Sequence, residues 1–201
     1  MRRFALALLP LVALLGCADP HRFDALHPQD AVVTLQAPDR PAGRGFFVAT
    51  DGTIVTCLHL LNDGKPVTVV LPDGRHVEGA VLNEDREQDI AIVKVPNPPE
   101  GHEFKVLHLN DEDIIPGMRV RVAGGQGVTH GTFDHWEDFG HSIDFTAPVK
   151  ATDAGAPLLA DDNRVIGIVL GPFEQHGKAA KAYVAARLVP HLAPPPQFGK
   201  E

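Results

Sequence analysis

The sequence predicts an all-β protein built from antiparallel strands. Short apolar, β-branched runs follow one another between about residues 31 and 184, and turn signals separate them. A spacing of about ten residues suits antiparallel barrels or a sandwich. The turns Asp51-Gly52, Asp63-Gly64 and Asp73-Gly74 contain the glycine that supplies positive φ in tight hairpins. No long helical period lies between the runs, which argues against a parallel α/β sheet.

Each run is expected to form one strand. In chain order the runs are Val32–Leu35, Phe46–Ala49, Ile54–Thr56, Val67–Leu71, Val77–Leu82, Ile90–Val95, Val120–Ala123, Val128–Phe133, Ile143–Ala147 and Val165–Leu170. One helix is expected near the end, over Ala179–Leu192, because this segment is rich in alanine and carries an apolar face.

Residues 1–17 have the organisation of an export signal. Arg2 and Arg3 precede a twelve-residue apolar stretch, Phe4–Leu15, and Gly16 and Cys17 follow it. This stretch is shorter than the roughly 20 residues that a permanent membrane-spanning helix needs. The segment Leu14-Leu15-Gly16-Cys17 resembles the lipobox of bacterial lipoproteins, which implies lipidation of Cys17 and cleavage before it. An ordinary secretory signal with an incidental cysteine is the alternative.

The leader implies a protein of the cell envelope, attached to the membrane through lipidated Cys17 on the periplasmic or other extracytoplasmic face. Ala18 rather than aspartate after the cysteine favours the outer membrane if the cell is Gram-negative. Residues 18–30 are polar and aperiodic and are expected to form a tether. A folded domain is expected over residues 31–192 and a proline-rich tail over 193–201.

Composition limits the partners. The net charge is -8 and the pI is about 5.7, so the chain lacks the basic surface that nucleic acid binding requires. Hydrophobic residues make up 44% of the chain and charged residues 22%, enough apolar surface for a core. Once Cys17 is lipidated, Cys57 is the remaining thiol, so no intramolecular disulfide is expected.

Three motifs stand in the order histidine, aspartate, nucleophile. The segment from Gly43 to Leu61 reads G-R-G-F-F-V-A-T-D-G-T-I-V-T-C-L-H-L-L and contains His59. Asp89 opens the apolar run that ends at Val95. Together these segments resemble trypsin-like serine proteases of the periplasmic HtrA type. The resemblance covers residues 31–192 and implies two six-stranded antiparallel barrels, about 31–109 and 110–184, followed by a C-terminal helix.

The third motif carries alanine at the nucleophile position. The segment Ala147–Leu158 reads A-P-V-K-A-T-D-A-G-A-P-L and aligns without a gap against the family's A-A-I-N-P-G-N-S-G-G-P-L. Ala154 therefore stands where the family has its catalytic serine. The resemblance implies that His59 is the general base and Asp89 its orienting carboxylate. A methyl group has no proton or lone pair, so Ala154 cannot form an acyl-enzyme.

The loop around Ala154 departs from the family a second time. Thr152, Asp153 and Gly155 form the predicted oxyanion loop, and Thr152 replaces a glycine whose N–H helps form the oxyanion hole. A β-branched residue restricts the backbone there, so the hole is expected to be misaligned. The only serine of the chain, Ser142, is expected to lie on a strand. Cys57 is expected to pack behind His59 as a small buried hydrophobe.

A histidine-rich segment offers a competing hypothesis. Its candidate ligands, all within twelve residues, are His130, Asp134, His135, Glu137, Asp138 and His141. Their separations are not a compact zinc spacing, so we expect a polar loop rather than a metal clip, and no metal or other cofactor. Trp136, the only tryptophan, lies at its centre and is a candidate contact residue.

Two functional hypotheses remain open. The chain as written is expected to be a pseudoprotease that binds an extended peptide or protein in the cleft between the barrels. The alternative is an active serine endopeptidase whose residue 154 was substituted by alanine. Thr152 favours natural loss of activity, whereas retained His59 and Asp89 favour a recent or engineered loss. The sequence leaves the oligomeric state open.

Overall fold

Twelve antiparallel strands form two closed barrels of six strands each in the computed structural model, which describes residues 27–98, 102–110, 114–137, 142–173 and 176–181. This confirms the predicted all-β double barrel. Within the described ranges, no helix is long and apolar enough to cross a membrane.

The first barrel is closed by pairing between its first and fourth strands, where Thr34 opposes Val70. Around the barrel the order is β1-β2-β3-β6-β5-β4. The strands are β1 (Val32–Gln36), β2 (Gly43–Ala49), β3 (Thr53–Cys57), β4 (Val67–Val70), β5 (His76–Asp85) and β6 (Ile90–Lys94).

The second barrel is closed where Leu158 opposes Val122. Its order is β10-β11-β12-β9-β8-β7. The strands are β7 (Arg119–Gly124), β8 (Gly127–Glu137), β9 (Ser142–Phe145), β10 (Pro157–Leu159), β11 (Val165–Phe173) and β12 (His176–Lys181).

The three predicted glycine turns all lie in the first barrel. Gly52 has φ 92°, Gly64 has φ 63° and Gly74 has φ 85°. In the first of these turns, the carboxylate of Asp51 accepts hydrogen bonds from the backbone and hydroxyl of Thr53. The Gly52 and Gly74 turns form hairpins between paired strands, β2–β3 and β4–β5. The Gly64 turn leads from β3 to β4, which are not neighbours in the barrel, so the expected hairpin is wrong there.

Two strands, β10 and β12, were not predicted, and β12 occupies the start of the predicted C-terminal helix. Pro157–Leu159 forms β10, although the sequence motif suggested only a loop there. Residues 179–181 belong to β12, so the start of the predicted helix at Ala179 is wrong. This segment is a strand and not a helix because it pairs with both β11 and β9. The rest of that helix, the leader 1–17 and the tail 193–201 lie outside the described residues.

The predicted tether 18–30 ends in local structure. Pro28–Ala31 is a short 3-10 helix with Pro28 and Ala31 buried. The side chain of Gln29 donates a hydrogen bond to the carbonyl of Gly124 in the second barrel (3.5 Å). The segment before β1 therefore contacts both barrels, while residues 18–26 lie outside the described part of the chain.

The hydrophobic core has three parts. One cluster fills the first barrel and a second fills the other barrel. A third cluster lies between the barrels and mixes their side chains, among them Phe46, Val55 and Ile90 with Ala123 and Ile168. Burial of apolar surface between the barrels fixes their relative position, and the candidate site lies at this junction.

Gly155 is the tightest backbone contact of the junction. It has φ 83°, and a methyl group on its Cα would collide with the carbonyl oxygen of Arg44 on β2. Only glycine combines this φ with so close an approach to another strand. The two barrels can therefore meet at this point only if residue 155 has no side chain.

Gly155→Ala is expected to lower the free energy of unfolding by about 3 kcal/mol or more, because alanine meets an unfavourable φ and a collision with backbone. The matched control is Gly117→Ala. Gly117 has φ 88°, and no atom of the described residues lies within 4 Å of an added methyl group, so only the backbone penalty of about 1–2 kcal/mol applies. Urea unfolding followed by circular dichroism measures both losses. Equal losses in the two variants would contradict the close contact.

Candidate active site

His59 and Asp89 are brought together by the pairing of β3 with β6. Cys57, the last residue of β3, opposes Ile90, the first residue of β6. His59 lies in the 3-10 helix Leu58–Leu60 that follows β3, and Asp89 directly precedes β6. The two side chains therefore extend from neighbouring strand ends.

Asp89 holds the histidine through both carboxylate oxygens. Its Oδ2 lies 2.5 Å from Nδ1 of His59, and its Oδ1 accepts the backbone N–H of His59 (2.8 Å). The carbonyl of Asp89 accepts the N–H of Leu58 (3.0 Å). Because an ionised carboxylate can only accept, Nδ1–H donates the hydrogen bond to Asp89, and Nε2 is left as the ring nitrogen with a lone pair. The histidine side chain is 42% exposed.

Ala154 follows a single turn of 3-10 helix, Ala151–Asp153. The N–H of Ala154 donates to the carbonyl of Ala151 (3.3 Å). Ala154 itself is only 2% exposed and packs in the cluster between the barrels. The residue at the nucleophile position therefore faces the core, and its N–H is bonded within the turn.

The carboxylate of Asp153 anchors this turn. Asp153 is 7% exposed. One of its oxygens accepts the N–H of Gly125 (3.0 Å), and the other accepts the N–H of Lys150 (2.9 Å). Hydrogen bonds to an ionised acceptor are stronger than neutral ones. The anion thus ties the turn to the β7–β8 connection on one side and to its own start on the other.

The turn lies directly beside the end of β3. The N–H of Gly155 and the thiol of Cys57 both donate to the carbonyl oxygen of Val169 on β11 (2.7 and 3.2 Å). From β2, the N–H of Arg44 donates to the carbonyl of Ala154 (2.7 Å). The structure therefore brings the alanine turn of the second barrel against the strand that leads to His59.

A protein-family model described as the trypsin-like peptidase domain matches residues 43–168, more than half of the chain. The chain belongs to this family. The match includes His59, Asp89 and the turn at Ala154, and it ends one residue before Val169.

Curated relatives of this domain carry the name "Probable periplasmic serine endoprotease DegP-like". The protein from Brucella suis is 30% identical over 155 residues, and that from Rhizobium meliloti is 29% identical over 150 residues. In both cases the match covers 69% of this chain but 29% of the relative. The chain therefore spans less than a third of the length of these relatives.

A solved structure has the same fold. The crystal structure of the serine endoprotease from Yersinia pestis matches with a TM-score of 0.70 at 21% identity. The match covers 80% of this chain and 62% of the other. At this identity the likeness supports the double-barrel fold of the trypsin-like peptidase domain and nothing finer.

The predicted oxyanion loop adopts a closed form in this trypsin-like peptidase domain. An oxyanion hole needs backbone N–H groups directed at the site where charge develops. The N–H of Ala154 is instead bonded to Ala151 within the turn, and that of Gly155 to Val169. The side chain of Thr152 is exposed. As described, the turn does not direct the N–H of Ala154 into the cleft.

Cys57 is a core residue and not a nucleophile. Its side chain is fully buried, and burial, with a smaller contribution from the charge of Asp89, raises the pKa of the thiol far above its ordinary value. The thiolate is therefore absent at neutral pH. Ser142, the other alternative, lies in β9 opposite Glu137 and Ala180, outside the turn.

Cys57, His59 and Asp89 offer metal-ligating atoms within 4.8 Å of one another, the one such group among the residues that the structure describes. The 2.5 Å contact between His59 and Asp89 leaves no room for an ion between them. The protonated thiol is also a poor ligand, because metals bind the thiolate. The arrangement therefore fits a histidine–aspartate pair better than a metal site.

The histidine-rich segment is largely strand. His130, Asp134 and His135 lie on β8, so the expectation of a polar loop is wrong up to Glu137. His135 contacts the carboxylates of Asp134 (3.0 Å) and Asp144 (3.8 Å). Trp136 packs edge-on against Phe133 (4.8 Å between ring centroids) and against the second-barrel core. Asp138 and His141 lie outside the described residues.

Sequence reasoning missed Arg44. Its backbone contacts both Ala154 and Gly155, and its side chain extends toward the second barrel. The available signal was a long charged residue between two buried glycines, Gly43 and Gly45. This signal does not show which elements the side chain contacts, because those contacts cross from one barrel to the other.

The buried thiol of Cys57 is expected not to react with a disulfide reagent at pH 8 until the protein unfolds. The raised pKa keeps the thiol protonated, and the reagent cannot reach it. The measurement uses Cys17→Ser, in which Cys57 is the sole thiol, with and without guanidinium. Thr152→Cys in the Cys17→Ser/Cys57→Ala background is the exposed-thiol control and should react at once. A native Cys57 that reacts as fast as this control would overturn the assignment.

Proposed function

We propose that this chain is a lipid-anchored pseudoprotease that binds extended peptides or protein segments in the cleft between its barrels without cleaving them. One observation carries the proposal: the nucleophile position holds Ala154, which is 2% exposed and whose N–H is bonded to Ala151. Both the nucleophile and one oxyanion donor are therefore lacking at the same residue.

The chemistry that remains is too weak for a protease. A trypsin-type site without its nucleophile retains about 10³ to 10⁴ of acceleration, from oxyanion donors and binding. Here the oxyanion contribution is also reduced, because the turn is closed. Binding of an extended peptide requires shape and hydrogen-bonding groups in the cleft, and neither depends on a serine.

The alternative is an active serine endopeptidase whose residue 154 was substituted by alanine. The observation that favours it is the intact pair in which Asp89 binds both the ring and the backbone N–H of His59. Such a pair is what a general base needs. The relatives named as serine endoproteases also favour it. The closed turn argues against it.

Location in the cell envelope is part of the proposal. The leader over residues 1–17 and the lipobox at Cys17 support export and lipidation. The names of the relatives place those proteins in the periplasm. Ala18 supports sorting to the outer membrane of a Gram-negative cell. One acyl-modified terminus would keep the cleft close to the membrane surface.

The proposal predicts binding without cleavage. A fluorescein-labelled unfolded casein peptide should bind the full-length protein, as measured by fluorescence polarisation, and mass spectrometry should recover it intact. Ala154→Ser should remain unlabelled by a fluorophosphonate, because a serine at this buried position still lacks the N–H of residue 154 as an oxyanion donor.

Circular dichroism and thermal melting of Ala154→Ser provide the control for folding. A second variant, Thr152→Gly/Ala154→Ser, restores the glycine of the family at the same time. Labelling and casein cleavage by the single variant would reject the pseudoprotease proposal and favour the endopeptidase. Labelling by the double variant alone would show that the turn, as well as the serine, has been lost.

Lipidation is tested separately. Cells that express the chain should incorporate radiolabelled palmitate into it, and the protein should fractionate with membranes. Cys17→Ser should abolish both. Cys57→Ala is the matched control, because it removes the other cysteine of the chain and should leave labelling unchanged. Incorporation that persists in Cys17→Ser would overturn the lipoprotein assignment.

A further inference from the structure

Arg44 is the side chain that links the alanine turn to the opposite barrel. Its backbone N–H donates to the carbonyl of Ala154 (2.7 Å), and its carbonyl accepts the hydroxyl of Thr56 (2.6 Å). These contacts fix Arg44 beside the nucleophile position. Its side chain is half-buried at the junction of the two barrels.

The guanidinium of Arg44 lies between the barrels. Nη1 donates to the hydroxyl of Thr34 on β1. Nη2 lies against Gly125 in the β7–β8 connection, where a methyl group on the glycine would collide with it. Nε is buried and has no hydrogen-bond partner among the described residues. The cation is thus held by one neutral hydroxyl and by contact with a glycine backbone.

Lys150 contacts the same connection. Its ammonium group donates to the side-chain oxygen of Gln126, next to Gly125. Lys150 is exposed and directly precedes the 3-10 turn Ala151–Asp153. Arg44 and Lys150 therefore both contact the β7–β8 connection, the first at Gly125 and the second at Gln126.

The ion pairs of the described residues include neither Arg44 nor Lys150, although the chain has a net charge of -8. The carboxylate of Asp153 on the same turn is engaged by other donors, because its two oxygens accept the backbone N–H groups of Gly125 and Lys150. A half-buried guanidinium without a counter-ion is costly, and an incoming carboxylate would relieve that cost.

We propose that Arg44, assisted by Lys150, binds an acidic side chain of the peptide or protein segment that occupies the cleft. The planar guanidinium suits a carboxylate, and the flexible ammonium adds a second positive charge. The ligand class is then an extended peptide with Asp or Glu at one fixed position near Ala154. This inference rests on the proposed peptide-binding function and specifies its ligand.

The test combines a substitution in the full-length protein with a substitution in the peptide ligand. The probes are fluorescein-labelled peptides with an otherwise uncharged sequence, and each peptide carries a single Asp at a different position. For every Asp peptide, a matched control peptide carries Asn at the same position. Fluorescence polarisation gives the dissociation constants. At one position the Asp peptide should bind about tenfold more tightly than its Asn partner, because a charge-assisted hydrogen bond is lost in the latter. In Arg44→Gln the two peptides should bind within about twofold of each other.

Two further variants keep the test decisive. Lys150→Gln replaces an exposed side chain, so the variant is expected to fold normally. It should reduce the preference for the Asp peptide about threefold. Arg40→Gln is the matched control, because Arg40 is exposed on the same barrel and donates to Asn62. It should retain the full preference.

The outcomes separate the inference from the function on which it rests. If no peptide binds the unsubstituted protein, the proposed function fails. If peptides bind but Asp and Asn partners bind alike at every position, the function stands and the role of Arg44 is rejected. The role of Arg44 is also rejected if the preference for the Asp peptide is unchanged in both Arg44→Gln and Lys150→Gln. It is rejected as well if the control Arg40→Gln loses the preference to the same extent as Arg44→Gln.

Discussion

The carbonyl oxygen of Val169 is the point on which the geometry of the site depends. It accepts the N–H of Gly155 from the second barrel and the thiol of Cys57 from the first. Because both donors share one acceptor, the alanine turn and the end of β3 cannot move apart independently. The positive φ of Gly155 and its contact with the carbonyl of Arg44 further restrict the backbone conformation of the turn.

The closed form of the turn follows from this anchoring together with Asp153. The carboxylate accepts the N–H of Lys150 at the start of the turn and the N–H of Gly125 in the β7–β8 connection, so it ties the turn both to its own start and to the neighbouring connection. A single neutral hydrogen bond, such as that from Ala154 to Ala151, contributes only about 1 kcal/mol and would not by itself keep the turn closed. The buried, charge-assisted contacts of Asp153 supply the stronger constraint.

Most of the fold could be predicted from local sequence signals, because β-branched runs and glycine turns act over short distances. Two strands were exceptions. β10 has only three residues and lies inside a functional motif, while β12 contains alanines that favour a helix in isolation. In both cases pairing with distant strands determines the structure, and a single sequence does not reveal such pairing.

The candidate site also has one part that local sequence motifs predict and another that depends on contacts between distant segments. The segments around His59 and Asp89 could be found from their order along the chain, and β3–β6 pairing brings the two side chains together. The closed turn, by contrast, depends on Arg44, Gly125 and Val169, which are remote from Ala154 in sequence. The role of Arg44 could not be predicted, because it results from the contact between the barrels.

Retention of the histidine–aspartate pair need not indicate retained catalysis, because Asp89 also has a structural role. Its φ of 56° lies in the left-handed region, which aspartate tolerates better than most residues. Its carboxylate caps the backbone N–H of His59, and its carbonyl accepts the N–H of Leu58. Substitution of Asp89 would leave the N–H of His59 without its carboxylate acceptor, whereas the backbone carbonyl that accepts from Leu58 is present in any residue. The fold itself therefore constrains position 89 even when residue 154 cannot act as a nucleophile, whereas the imidazole of His59 has no comparable structural bond beyond Asp89 within the described residues.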